Sequence, residues 1–307
     1  MLTRLRLPDG LVNNSGQNLH GAGELFTSGS VWYVDSVNGS DGNPGDGPGN
    51  GVAKATVAGA LAVAKANNGD VIVCAPNHSE TFGAGGLAIN VAGVAIIGLG
   101  VGSQRATFNF SKAASSANVS SAGVKLSNLR FIATTAAVAQ GVILGANRIV
   151  VDRCSFDVSA SANYFRKAIT INGFDASVIL ATEIIAPVVP AQAEVAISLD
   201  VCNNVIVEGC NVFGSFSTAL INNPTSTANT GWQISENSFY NTETANGFVL
   251  KLVSSTKGIY AYNSLGTGSA TGSTSTLGTA TCLMGALIPV QNYISNSTAK
   301  SAVLILN

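Results

Sequence analysis

The sequence predicts an all-β fold, a single-stranded parallel β-helix of about nine coils with an amino-terminal capping helix and an extended amino-terminal arm. Two observations carry that expectation. Nine positions, Cys74, Gly100, Asn128, Cys154, Thr182, Cys210, Asn237, Asn263 and Asn292, follow one another at gaps of 26, 28, 26, 28, 28, 27, 26 and 29 residues. Around most of them alternating apolar residues lead into a small polar residue and a bulky apolar one follows, as in Leu126-Ser127-Asn128-Leu129-Arg130-Phe131 and Ile234-Ser235-Glu236-Asn237-Ser238-Phe239. A repeat of this length marks a solenoid, because one unit cannot bury its own apolar face and must stack on its neighbours. Period-two alternation makes the unit a set of strands. Coils stacked ~4.8 Å apart give a rod on the order of 40 Å long.

Residues 1–30 lack the repeat and carry the turn formers Asn13-Asn14-Ser15-Gly16 and Gly21-Ala22-Gly23, which reads as an arm that orders by docking on a partner. Residues 31–70 hold a strand, Val31-Trp32-Tyr33-Val34, a Gly/Asp-rich loop from Asn38 to Gly51 and a helix from Thr56 to Ala66. Val57, Ala60, Leu61 and Ala64 fall on one face of that helix, and Asn67-Asn68-Gly69 ends it. Its place ahead of the coils predicts a plug for the amino-terminal mouth, where a solenoid otherwise exposes apolar rungs and strand edges. Residues 71–307 are the coils, each with a second apolar stretch such as Ala168-Ile169-Thr170-Ile171. The Gly/Ser/Thr/Ala-rich stretch from Gly266 to Thr281 reads as a loop thrown out from the stack. The nine recurring positions are read as one structural ladder, whose Asn members bond along the axis.

Only 10% of the 307 residues are charged, against roughly 25% in ordinary soluble domains. A surface so poor in charge points to an assembly, and a rod buries its flank against copies of itself, so a homotrimer is expected. A net charge of −1 gives nucleic acid no electrostatic footprint. Mean hydropathy is positive, yet no apolar run approaches the ~20 residues of a spanning helix, so a membrane is not expected as partner. The start, Met1 to Pro8, has basic residues with no apolar stretch behind them, and synthesis in a cytoplasm is the expectation. Cysteines 74, 154, 202, 210 and 282 show no metal spacing and read as buried thiols; Cys154 and Cys210, two coils and about 9.6 Å apart, are beyond disulfide reach. Asp35, Asn38, Asp41, Asn43 and Asp46 match no calcium loop and read as turn formers. No metal and no cofactor is expected.

The segment Trp32-Tyr33-Val34-Asp35, Asn38-Gly39-Ser40-Asp41-Gly42, the short helix, then Asn68-Gly69-Asp70-Val71-Ile72-Val73 and Pro76-Asn77-His78-Ser79-Glu80-Thr81 resembles the opening of pectate-lyase-like right-handed parallel β-helix proteins. In particular it is similar to versions in tailed-phage virions, where an arm precedes the coils. The resemblance implies polysaccharide as a substrate class in enzyme members, whose chemistry calls for stacked carboxylates on the outside of the coils. Asp152 and Glu208 form the one candidate pair, in equivalent slots two coils, about 9.6 Å, apart with Leu180 between them. Leu makes a poor floor for a sugar site, and acids of this kind are usually solvated or paired with neighbours such as Arg153. His78 beside Glu80 reads as a satisfied surface residue, and Gly98-Leu99-Gly100-Val101-Gly102 opens no helix to hold phosphate. The expectation is therefore a non-enzymatic structural protein of a phage particle, a capsid decoration or cement protein on the capsid surface whose arm docks on the major capsid protein. The rival expectation is a tailspike or receptor-binding protein that binds or cleaves bacterial surface polysaccharide.

Overall fold

The computed structural model describes residues 11–12, 18–19, 27–158, 160–187, 193–224, 229–243, 248–251, 258–267, 287–290, 292–296 and 302–304. Three sheets run along the stack. The first has ten strands, Val31–Val34, Val71–Cys74, Ala95–Gly98, Lys125–Ser127, Val150–Asp152, Val178–Leu180, Ile206–Glu208, Trp232–Ser235, Gly258–Ala261 and Leu287–Val290, all parallel. The second runs from Ser79–Phe82 through Thr107–Phe110, Arg130–Ala133, Ser155–Val158, Glu183–Ile185, Asn211–Gly214, Ser238–Asn241 and Ser264–Thr267 to Asn292–Asn296, with Ala302–Leu304 added antiparallel at its edge. The third holds seven parallel strands, Leu87–Ile89 to Phe248–Lys251. Seven consecutive coils thus give one strand to every sheet. Each strand pairs with the equivalent strand one coil away, which is what a repeat of constant length produces.

The core is one column of apolar layers. In the second sheet Phe108, Phe131, Phe156, Ile184, Val212 and Phe239 are in register and buried. Phe131 and Phe156 stack at 4.9 Å and 20°. Like residues pile on like because a parallel ladder repeats each side-chain position at every coil.

The bend from the first sheet to the second has a fixed form. One residue takes the left-handed conformation, Asn128, Arg153, Ala181, Gly209, Glu236 or Tyr262, with φ of 53°, 51°, 44°, 63°, 60° and 56°. Most of these are not glycine, and each non-glycine costs roughly 1–2 kcal/mol there. An axial hydrogen bond offsets the cost: the amides of Asn128, Arg153 and Ala181 donate to Asp152, Leu180 and Glu208 of the next coil at 3.0, 3.0 and 2.9 Å. The residue after the left-handed one turns inward and is buried.

This bend corrects the ladder. The pairings align His78, Ala106, Leu129, Cys154, Thr182, Cys210, Asn237, Asn263 and Asn292 in one column. Asn128 lies one position earlier, among the left-handed residues; Cys74 aligns with Gly98, and Gly100 lies in a loop inserted between Gly98 and Ala106. The constant spacing concealed that insertion because the following coil is correspondingly short. Within the column Asn237 donates to the Val207 carbonyl at 3.0 Å and to Asn263 Oδ1 at 2.9 Å, and accepts from the Cys210 amide at 2.9 Å.

The helix is shorter than expected, Val57–Leu61, with Thr56 as its cap accepting from the Gly59 amide at 2.9 Å. Asp70 explains where it stops. Its buried carboxylate takes the Lys65 amide at 2.8 Å, and also accepts from the Ser30 amide, the Trp32 indole and Asn68. Burial pushes this carboxyl up, but the four hydrogen bonds outweigh it and bring it to about 2. Val57, Ala60 and Leu61 join the same core cluster as Val34, Ile72 and Leu87. Of the arm, Leu11–Val12 and Asn18–Leu19 pair with each other as antiparallel strands, a local structure that an extended arm does not include. Most of the loop expected from Gly266 to Thr281, and Cys282, lie outside the described residues.

Candidate functional site

On the outer face of the second sheet two columns of side chains run along the axis. One is Thr107, Arg130, Ser155, Glu183, Asn211, Ser238 and Ser264; the other is Asn109, Ile132, Asp157, Ile185, Phe213, Tyr240 and Gly266. Alternation places them outward, since the intervening Phe131, Phe156, Ile184, Val212 and Phe239 are buried. The inserted loop that follows Gly98 folds over the start of this face. It contains the one-turn 3₁₀ segment Gly102–Gln104, is pinned by Asn128 donating to the Gly98 and Gly100 carbonyls at 2.8 and 3.0 Å, and ends at Arg105.

Loop and sheet enclose a cleft of about 320 Å³ lined by Gly102, Ser103, Arg105, Arg130, Ser155, Phe156, Asp157, Glu183 and Ile185. Four charges meet there, in a chain with few. Arg130 forms an ion pair with Asp157, whose other oxygen accepts from the Val158 amide at 2.7 Å. Glu183 is exposed and forms no ion pair among the described residues. Arg105 lines the cleft as a second cation, and its buried Nε–H has no hydrogen-bond partner among the described residues. One coil and a two-residue step separate Asp157 from Glu183, roughly 8 Å between backbones. The set can hold an oxygen-rich ligand between two cations and two carboxylates. Among the described residues no group of three or more His, Cys, Asp or Glu is placed to hold a metal.

Asp152 and Glu208 lie elsewhere, on the outer face of the first sheet, in one column two coils apart with Leu180 between them as the spacing predicts, and each is held by its own neighbours. Asp152 is tied to Arg153 at 2.9 Å, to the Ser127 hydroxyl at 3.2 Å and to Lys125 at 3.5 Å. Glu208 accepts from Gln233 at 3.1 Å and from the Ser235 hydroxyl at 3.4 Å, with Leu180 in the slot between the two acids. His78 is not on the surface. Its ring is fully buried, Nδ1 accepts from the Ser36 amide at 3.0 Å, and Nε2 lies 2.8 Å from Glu80, which also accepts from the Val57 amide at 2.7 Å. These bonds fasten the opening loop and the helix to the first coil. Asp35 is a turn former as expected, accepting from the Val37 and Asn38 amides, whereas Asp41 is not: it accepts from the Ala55 and Thr56 amides and ties the loop to the start of the helix. The cleft residues escaped sequence reasoning because the acid search followed positions ahead of the ladder. The signal was present one strand later, where Arg130 and Asp157 flank Phe131 and Phe156, but Arg105 joins them only through the insertion.

No protein-family model matches the chain, and no curated protein matches its sequence. Solved structures do. One described as "Rhamnogalacturonan lyase" superposes at a TM-score of 0.47 with 14% identity, covering 90% of each chain. One described as "Crystal structure of pectate lyase Pel9A" gives a TM-score of 0.53 at 11% identity, covering 91% of this chain and 80% of that one. The expectation of a non-enzymatic chain is corrected by the second of these: the fold is shared with a solved structure described as a pectate lyase, so a rod of stacked coils is no ground for setting enzymes aside. At these identities the likeness is one of fold, and the fold is the parallel β-helix of the pectate-lyase-like kind.

Proposed function

We propose that this chain binds and cleaves polysaccharide in the cleft on the outer face of its second sheet, with Asp157 and Glu183 as the paired carboxylates. The observation that carries the reading is the meeting of these two acids with Arg105 and Arg130 under the inserted loop. Glycoside hydrolysis uses two carboxyl groups roughly 5 to 9.5 Å apart, one to give a proton to the leaving oxygen and one to act as nucleophile or base. Arg130 fixes the position of Asp157 through their ion pair, which assigns Asp157 the second role and leaves Glu183, across the cleft, for the first. Arg105 lines the cleft as a cation for a ring substituent. The fold shared with pectate lyase Pel9A supports polysaccharide as the substrate class.

The setting proposed with it is a tailspike or receptor-binding protein of a tailed-phage particle. The charge poverty of the chain and the resemblance of its opening segment support that placement and a homotrimer. Labelled antibody on intact particles tests it, with tails decorated as the expected result and heads as the result against it. The activity is tested on a panel of bacterial surface polysaccharides and polygalacturonate, reading both new reducing ends and the ultraviolet absorbance of unsaturated ends. Asp157→Asn and Glu183→Gln each lower the rate by roughly a hundredfold or more. Absence of product from the unmodified protein, or full rates in both variants, overturns the reading. Unsaturated ends in place of hydrolysis products reassign the chemistry to elimination.

A further inference from the structure

Phe213 and Tyr240 are large apolar side chains left outside the core, 40% and 37% exposed. They occupy successive coils of the column that contains Asp157, and their rings stack at 5.7 Å and 16°. The next position in the column is Gly266, and a Cβ there would stand 2.2 Å from Tyr240 Cδ2. The tyrosine ring therefore lies down over the neighbouring coil in the space a side chain would fill. Beside this apolar strip runs the second outward column, Glu183, Asn211, Ser238 and Ser264, all exposed and all able to bond hydroxyl groups.

From this geometry we infer that Phe213 and Tyr240 form a sugar-stacking subsite that carries the polysaccharide chain along the axis, away from the cleft. The inference rests on the reading of this face as the polysaccharide-binding face. A pyranose ring presents C–H bonds on its faces and hydroxyl groups on its rim, so it fits an aromatic strip bordered by amide and hydroxyl side chains. Position supports the same occupant. Phe213 stands two coils, about 9.6 Å, beyond Asp157 in the same column, so one extended chain passes over both. A second copy of the chain is the competing occupant of an exposed aromatic pair, and the experiment reads it directly.

The test uses the full-length protein in native gels cast with polygalacturonate, alginate, dextran or bacterial O-chain lipopolysaccharide, beside sedimentation velocity in free solution. The unmodified protein is expected to be retarded by at least one polymer, and Phe213→Ala and Tyr240→Ala each to weaken that binding roughly five- to tenfold. Tyr240→Phe keeps the ring and the retardation. Gly266→Val removes the space the ring occupies and weakens binding with Tyr240 still present. In Asp157→Asn, where product formation falls roughly a hundredfold, Phe213→Ala still weakens retardation by the same factor, which separates this subsite from the chemistry. Retardation unchanged in both alanine variants overturns the subsite, and the cleavage reading then stands or falls on product formation alone. No retardation of the unmodified protein in any gel overturns it as well. Conversion of an oligomer to monomer by the alanine variants assigns the pair to contacts between chains and also overturns it.

Discussion

Replacing Asn237 by Ala puts a number on the axial ladder. The side chain is 2% exposed and makes three hydrogen bonds, to the Cys210 amide, the Val207 carbonyl and Asn263 Oδ1. Truncation leaves the Cys210 N–H and the Val207 C=O buried with those bonds unmet, while Asn263 Oδ1 keeps the Asn237 amide at 3.1 Å. Each orphaned buried group costs ~1–3 kcal/mol, so the expected loss is about 3–5 kcal/mol. Asn237→Cys should lose about half as much, because the thiols of this column bond back to carbonyls: Cys210 Sγ lies 3.5 Å from the Glu208 oxygen and 3.7 Å from that of Ile179. Urea unfolding followed by tryptophan fluorescence is the assay, Trp232 being buried one strand ahead of the substitution. Stacked coils can unzip in steps, so midpoint and slope must both be compared. A loss under about 1 kcal/mol for the alanine variant, or equal losses for Ala and Cys, would refute the view that polar satisfaction sets the choice of residue in this column.

Other outcomes follow from the same structure. Burial raises the thiols of Cys154 and Cys202 to about 12, that of Cys210 to about 11, and that of Cys74 well above the usual range, so none of these four should react with a thiol reagent in the native state. Rapid labelling of any of them, read by peptide mass, would contradict the packing. Asp70 has a folded-state value of about 2 against an ordinary 3.8, so its contribution to stability is full above 3.8 and is lost as pH falls through about 2. Asp70→Asn should therefore flatten the acid limb of a stability–pH curve, and an unchanged limb counts against the four-bond site. Phe131→Ala removes the middle ring between Phe108 and Phe156 and should cost about 3–5 kcal/mol in the urea assay.

Period and alternation made the coils legible in the sequence, because a parallel ladder copies each side-chain position at every turn. Spacing alone puts Cys154, Thr182, Cys210, Asn237 and Asn263 in one column, and the pairings place them there. The first three members were misplaced for a reason spacing cannot reveal. A seven-residue insertion, Leu99 to Arg105, follows the position equivalent to Asn128, and the next coil is shorter, so the mean period survives while the register moves. Backbone conformation was equally hidden. Asn128 was assigned to the inward ladder because Asn suits it, yet Asn also suits the left-handed position, where its side chain binds the loop carbonyls instead. Asp70 was silent in sequence because its role depends on four donors gathered from three separate segments.

That insertion also links the fold to the proposed chemistry. A regular coil stack offers a ligand only a flat flank, with each outward column repeating without a wall. Inserting residues at one bend leaves the pairing on either side intact, since the strands Ala95–Gly98 and Thr107–Phe110 still find their partners, and raises a wall at one place on the flank. The wall carries Arg105 over Arg130, Asp157 and Glu183, which come from the next three coils. Concavity and charge thus arise together from one local event in a fold whose remaining coils stay interchangeable. Deleting Leu99–Arg105, so that Gly98 becomes the bend residue that Ala181 is in its own coil, should therefore abolish the proposed polysaccharide cleavage while leaving the urea midpoint of the distal coils, reported by Trp232 in a Trp32→Phe background, where it was. Loss of the distal coils along with the cleft would mean that the insertion is part of the stack and not an addition to it.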